Sequence, residues 1–173
     1  MRRGDLAEVR SKIGLQFQNF ALFDFLDVAG NVGYALEHGR GAASAEVSEA
    51  VGRALFDVGL SGAETSHPSD LSGGMRRRVA IARVMAARPE IAIFDDPVAG
   101  LDPVNSARVM QLLRDFRDQT GCLVVVATHD LERLLPLAPR TVALFGGRVL
   151  YDGPTGQIES CLLYTSPSPR DRG

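Results

Sequence analysis

The sequence predicts an α/β protein built on a mainly parallel sheet with a helical subdomain, and three observations carry that prediction. Short apolar runs recur at Ile13–Phe17, Ile91–Phe94 and Leu123–Ala127, the last of them β-branched, as strands buried on both faces require. In the second half of the chain, strand-like runs alternate with helical segments, the pattern that puts helices on the faces of a parallel sheet. From Leu22 to about Asp70 no convincing strand occurs, so this stretch reads as a helical insert.

Taken in order, Ile13–Phe17 is the first strand. Asp27–Glu37 and Ser44–Leu60 are helices, the second marked by Val47, Val51, Leu55 and Val58 at steps of three to four residues. Residues 61–69 are rich in Gly, Ser and Pro and form a loop. Arg76–Ala87 is a helix closed by Pro89, and Ile91–Phe94 is a strand that runs into two aspartates. Pro103–Gln119 is a helix with Asp102 as N-cap and Pro103 at the first helical position. Leu123–Ala127 is the third strand, and Asp130 can cap a short helix from Leu131. Thr141–Phe145 and Arg148–Tyr151 form a hairpin-like pair around Gly146-Gly147. The last stretch, residues 161–173, turns to Ser, Pro and Arg. It resembles a translated sequencing-adapter tail, or else is a disordered tail, and is set aside from the fold.

Bulk properties narrow the function. The chain has 173 residues, 45% of them hydrophobic, which suffices for one domain with a sizeable core. A net charge of -2 gives no reason to expect a nucleic-acid partner. Cys122 sits in an apolar run and Cys161 near the end; neither makes a disulfide framework or metal site, which fits a reducing cytoplasmic compartment. The N-terminus lacks the apolar core of a signal peptide, and no apolar run approaches the roughly 18 residues a membrane span needs. Work at a membrane would therefore require another chain to cross it.

Three strings point to phosphate chemistry. In Leu71-Ser72-Gly73-Gly74-Met75, a serine and two glycines precede a helix. Bare N–H groups at a helix N-terminus attract anions, and glycine lets a phosphate approach closely; taken alone, the string also suits an ordinary capped helix. In Ile91–Pro97, a buried strand delivers Asp95 and Asp96 to its C-terminal end, where ligands collect in parallel sheets. Asp95 suits a Mg²⁺ held through water and Asp96 an attacking water, while two aspartates also make a good strand exit. His129 follows the third strand and can reach a γ-phosphate, although a lone histidine is more often structural. His38 and His67 lie in loop-like stretches and keep the structural reading.

The order of these strings resembles the second half of an ABC-type ATPase: LSGGM, a helix, a strand ending in two aspartates, Ala99–Asp102 as the D-loop, then a strand leading to a switch histidine. Gln18, after the first strand, matches the Q-loop glutamine. The resemblance covers about residues 4–158. It implies a partial P-loop NTPase fold over residues 1–160, with a helical subdomain at about 20–88. Its cofactors would be ATP and Mg²⁺. Gln18 would touch the metal and the attacking water, and Ser72, Gly73 and Gly74 would bind the γ-phosphate of ATP held by a second ATPase subunit. Asp95 would hold the metal, Asp96 would act as general base, His129 would contact the γ-phosphate, and Asp102 would lie at the dimer interface. The partners implied are a transmembrane permease and that second subunit, at the cytoplasmic face of a bacterial inner membrane.

Two departures stand out. The family usually carries glutamate where Asp96 stands. No GxxxxGK[ST] string occurs, so the Walker A segment is missing, and Lys12, the only lysine, abuts a strand and cannot replace it. The chain therefore reads as a truncated frame, inactive alone. Phe17–Leu26 and Met75 resemble Mla-type phospholipid or solvent-resistance ATPases, and the arginine run Arg76–Arg78 reads as a solvated helix face. The other readings are a soluble ABC ATPase of DNA repair or translation, or a non-catalytic interaction module.

Overall fold

The computed structural model describes residues 8–130 and 138–158, which fall into two compact units divided after His129. The first unit holds a three-stranded parallel sheet: β1 (Ile13–Gln16), β2 (Ile91–Asp95) and β3 (Leu123–Ala127), in that spatial order. Register sets Ile13 beside Ile91 and Ile91 beside Leu123, and two residues on it sets Leu15 beside Ile93 and Ile93 beside Val125. Among the described residues the sheet is accompanied by α1 (Val28–Ala35), α2 (Ser44–Asp57), α3 (Gly73–Ala87) and α4 (Pro103–Thr120), and residues 8–11 are also helical.

The caps follow from side-chain chemistry. Asp27 accepts the Gly30 N–H at 2.7 Å at the start of α1. Ser72 accepts the Met75 N–H at 3.3 Å at the start of α3, so α3 begins three residues before the expected Arg76. Asp102 caps α4, and Gly121 ends it in the left-handed conformation, φ 69°, which costs glycine little. α1 runs on into a π-helical turn at residues 36–40.

The core lies among α1, α2, α3 and one face of the sheet. Val47, Val51, Ala54 and Leu55 of α2 are buried, as are Val79–Ala82, Val84 and Met85 of α3. The glycines show how close the packing is. A Cβ on Gly14 of β1 would stand 2.8 Å from Val84 Cγ1 and 3.0 Å from Pro89 Cγ, and one on Gly33 of α1 would stand 2.8 Å from Val47 Cγ1. Asn31, fully buried, donates to the carbonyls of Phe23, Leu26 and Asp27 and accepts from the Phe23 N–H, fixing the chain that enters α1.

The sheet corrects one expectation. Its strands are not buried on both faces: Ala92 and Phe94 are, but Ile13, Leu15, Leu123 and Val125 each stay more than a third exposed. These four share the face opposite Gly14, because side chains alternate along a strand, and no described element covers that face.

The second unit contributes an antiparallel hairpin, β4 (Arg140–Phe145) and β5 (Arg148–Pro154). Gly146 and Gly147 both take positive φ, as a type I′ turn requires. Arg140 forks onto Asp152 across the pair at 2.8 and 2.9 Å. Cys122 is buried and free. The expected helix from Leu131, Cys161 and the 161–173 tail lie outside the described residues. Among those residues no helix is long and apolar enough to cross a membrane.

Candidate functional site

β2 and β3 run parallel and end side by side, Asp95 opposite Ala127, so the residues just beyond them meet. Asp96 donates its N–H to the Ala127 carbonyl at 2.8 Å and takes a left-handed backbone, φ 49°. That conformation is unfavourable for most side chains, but aspartate adopts it more readily than most. The buried Asp96 carboxylate (7% exposed) accepts a hydrogen bond from Thr128 Oγ1 at 3.1 Å on one oxygen. Its other oxygen meets His129 Nδ1 at 2.9 Å. His129 itself is 81% exposed, so its Nε2 is left for a ligand. Asp95 sits half-buried at the last β2 position.

Gln18 lies two residues past β1, exposed, in a tight turn. The hinge behind it is strained: Phe20 and Ala21 have φ of 65° and 47°. Arg83 of α3 holds both carbonyls at 2.8 Å, and burial lowers its pKa from the usual guanidinium range. Gln16, at the end of β1, is fully buried. It donates to the Phe17 carbonyl and, at 3.5 Å, to that of Asp95, while its Oε1 has no partner. A glutamine inside an apolar strand was the available sign of this residue.

The arginine run is a second correction: it is not a solvated face. Each arginine is half-buried and donates to a backbone carbonyl of another segment. Arg76 reaches Pro68, Arg77 reaches Ala99, and Arg78 reaches Val58 and Gly59. Carbonyl oxygens at loop and helix ends need donors, and a guanidinium carries five in a fixed fork.

Ser72, Gly73 and Gly74 form the exposed N-terminus of α3, and a Cβ on either glycine would meet nothing within 4 Å. The space in front of these N–H groups is open, as approach of an anion requires. Among the described residues no hydrogen bond or ion pair joins Ser72 to Asp95, Asp96 or His129; its hydroxyl is spent on its own helix. Asp102 is likewise a cap, accepting from the Val104 and Asn105 N–H groups at 3.0 Å and from the Asn105 side chain at 2.6 Å. The Asn105 bonds, backbone first, hold its carboxyl below the usual aspartate range. Lys12 lies between Glu8 and Glu90 at 3.5 and 3.6 Å, a surface position away from any glycine loop.

The structure thus brings together Asp95, Asp96 and His129, adds Thr128, and leaves Ser72–Gly74 at a separate, open helix end. Among the described residues no group of three His, Cys, Asp or Glu could cage a metal. Mg²⁺ does not need one, since it is commonly held by one or two carboxylates with water and substrate phosphates. Asp95 fits that mode.

Comparison with known proteins follows the same lines. The ABC transporter family model matches residues 1–99. The methionine import ATP-binding protein MetN of Xanthomonas campestris pv. campestris is 37% identical over 153 residues, covering 88% of this chain and 45% of MetN. The phosphonates import ATP-binding protein PhnC of Stutzerimonas stutzeri is 38% identical over 167 residues, covering 92% and 60%. The chain thus spans about half the length of the first curated relatives it matches. Among solved structures, cbiO1 of Clostridium perfringens, part of the ABC transporter complex cbiONQ, superposes with a TM-score of 0.82 at 28% identity, covering 92% of this chain and 63% of that one. The ATP-binding cassette MJ0796, a post-hydrolysis dimer bound to ADP and Pi, superposes at 0.80 with 33% identity, covering 90% and 68%. These relatives' names speak of methionine and phosphonate import, so they support the ABC family expectation and not its Mla-type refinement.

Proposed function

This chain belongs to the ABC transporter family, and on that premise we propose that it is part of the ATP-hydrolysing subunit of a bacterial import system. The observation that carries the reading is the meeting of Asp95, Asp96, Thr128 and His129 where two parallel strands end. In this reading Asp96 takes a proton from the attacking water, oriented by Thr128 and His129, and the His129 Nε2 contacts the γ-phosphate. Asp95 and Gln18 hold Mg²⁺, which when bound neutralises charge on the phosphates. Ser72, Gly73 and Gly74 bind the γ-phosphate of ATP held by a second subunit, with Asp102 near the same interface. The permease docks at the apolar segment after Gln18, where Phe25 is 75% exposed, and the subunit works peripherally at the cytoplasmic face of the inner membrane.

The cargo is a small solute, in keeping with the methionine and phosphonate importers among the relatives. The second reading, phospholipid cargo, rests on Phe17–Leu26 and Met75. The complete protein with its permease, rebuilt in lipid vesicles, decides both points. ATP-dependent uptake of a solute, abolished by Asp96→Asn, is expected; ATP-dependent lipid transfer would favour the second reading, and absence of ATP binding would remove both.

A further inference from the structure

Arg77 stands where three segments meet. It lies in the second turn of α3, five residues beyond Ser72. Its Nη2 donates to the Ala99 carbonyl, within the loop that runs from Asp96 to Asp102. Its guanidinium carbon lies 5.4 Å from the centroid of the Phe20 ring, inside the cation–π range of about 6 Å. Phe20 belongs to the strained hinge after Gln18, whose carbonyls Arg83 holds from the same helix. Asp96 is near enough to favour the charged form of Arg77, although burial, the larger effect, lowers its pKa. The Arg77 Nε is buried with no partner. This guanidinium gave up water without satisfying all its donors, a penalty that side chains placed for packing alone avoid.

We propose that Arg77 is a positioning residue, a brace that ties the Ser72–Gly74 end of α3 to the Asp96–Asp102 loop and to the hinge after Gln18. The inference rests on the function proposed above. Arginine alone suits such a brace, because its planar fork spans a ring face and a carbonyl at once, which a lysine ammonium, a point charge, does not. Besides Arg77, the Ser106 hydroxyl reaches this loop at the Leu101 carbonyl, 3.5 Å away. Ala99 N–H to the Asp96 carbonyl at 3.2 Å and Leu101 N–H to the Val98 carbonyl at 3.1 Å are its internal backbone bonds, and Gly100 takes φ 68°. A shift of α3 when its N-terminus meets a phosphate therefore moves Ala99, and through it the carboxylate of Asp96. Arg77 acts through Ala99 and Phe20, so its effect falls on the chemical step rather than on nucleotide affinity.

The test uses the complete ATPase with its permease, comparing Arg77→Met with Arg76→Met, whose parent side chain grips Pro68 instead. Arg77→Met should lower kcat about tenfold or more and leave KM for ATP within about twofold, since displacements near 1 Å suffice for such losses. Amide exchange at Ala99 and Leu101 should quicken, and Arg76→Met should do neither. If Arg77→Met fails to fold, Arg77→Lys keeps the charge without the fork, and the same split is expected of it. An unchanged kcat, kcat and KM moving together, or the same loss in Arg76→Met would overturn the brace. Should the parent protein not hydrolyse ATP, the proposed function fails and exchange alone decides: quickening confined to the 97–101 loop keeps the brace, and no change removes it.

Discussion

At the scale of single residues, the proposed chemistry centres on Asp96. It is buried, held left-handed, and approached by Thr128 on one oxygen and His129 on the other. Asp96→Asn in the complete protein keeps the shape and loses the base, so ATP turnover should vanish, as steady-state phosphate release would record. Asp96→Glu adds about 1.5 Å of reach and should preserve or raise turnover; equal rates for the parent and Asp96→Asn would strip Asp96 of the role. Thr128→Val removes a hydrogen bond to a buried carboxylate and should cost about 1–3 kcal/mol of stability, read from a shifted denaturant midpoint. Asp102 gives a pH dependence. Its folded carboxyl ionises at lower pH than in the unfolded chain, so its cap stabilises α4 above the unfolded value, about 3.9, and is lost as pH falls through the lower folded value. Asp102→Asn, which still caps, should flatten that part of the acid limb, followed by circular dichroism. Asp95, Asp96 and His129 were legible because each sits in a local string. Thr128 and Arg77 were not, because their partners lie 32 and 22 residues away and no local pattern announces them, while the one sign of Gln16, a glutamine in an apolar strand, does not reveal its partner 79 residues on.

At the scale of elements, α3 is the working part. Its N-terminus is open, its second turn braces the carboxylate loop, and its later turns fill the core. Its start was misplaced by three residues because two glycines in the first turn argue against helix, and the Ser72 cap outweighs them. Its arginines looked solvated because sequence shows a charge run and not the carbonyls it meets. Gly14→Ala probes how α3 sits on the sheet. The new Cβ would meet Val84 Cγ1 at 2.8 Å, and overpacking of this kind costs about 1–3 kcal/mol, visible as a lower melting temperature. Ser72→Arg tests the open end. In the complete protein it should leave ATP binding to the monomer nearly unchanged and block ATP-driven dimerisation, measured by light scattering with Asp96→Asn added to trap ATP. A dimer of undiminished stability would return Ser72 to the role of helix cap.

At the scale of the whole molecule, the three strands, their order along the chain and the helices between them were readable from apolar runs and caps. The exposure of one sheet face was not, since an apolar run looks the same whether or not anything covers it. That face and the missing phosphate loop bear on the same experiment. Ile13, Leu15, Leu123 and Val125 lie together, Leu123 at 59% exposure, and an apolar patch of this kind attracts either further chain or another molecule. The 173-residue chain by itself should therefore bind an apolar dye such as anilinonaphthalene sulfonate and self-associate as its concentration rises. Leu15→Thr with Val125→Thr, the first introducing and the second keeping β-branched character while adding a hydroxyl, should reduce both effects with little loss of strand structure. The same chain carries no GxxxxGK[ST] string, and in P-loop enzymes that loop cradles the nucleotide phosphates. The remaining contacts are the α3 end, Asp95 and His129, which lie on separate elements and, among the described residues, are not joined by any hydrogen bond. Calorimetry should accordingly find MgATP binding weaker than about 1 mM and no steady phosphate release. Micromolar affinity with turnover would mean that these residues suffice without the loop. Weak binding without association or dye uptake would show that the sheet face is covered in solution, and would locate the defect in the nucleotide site alone.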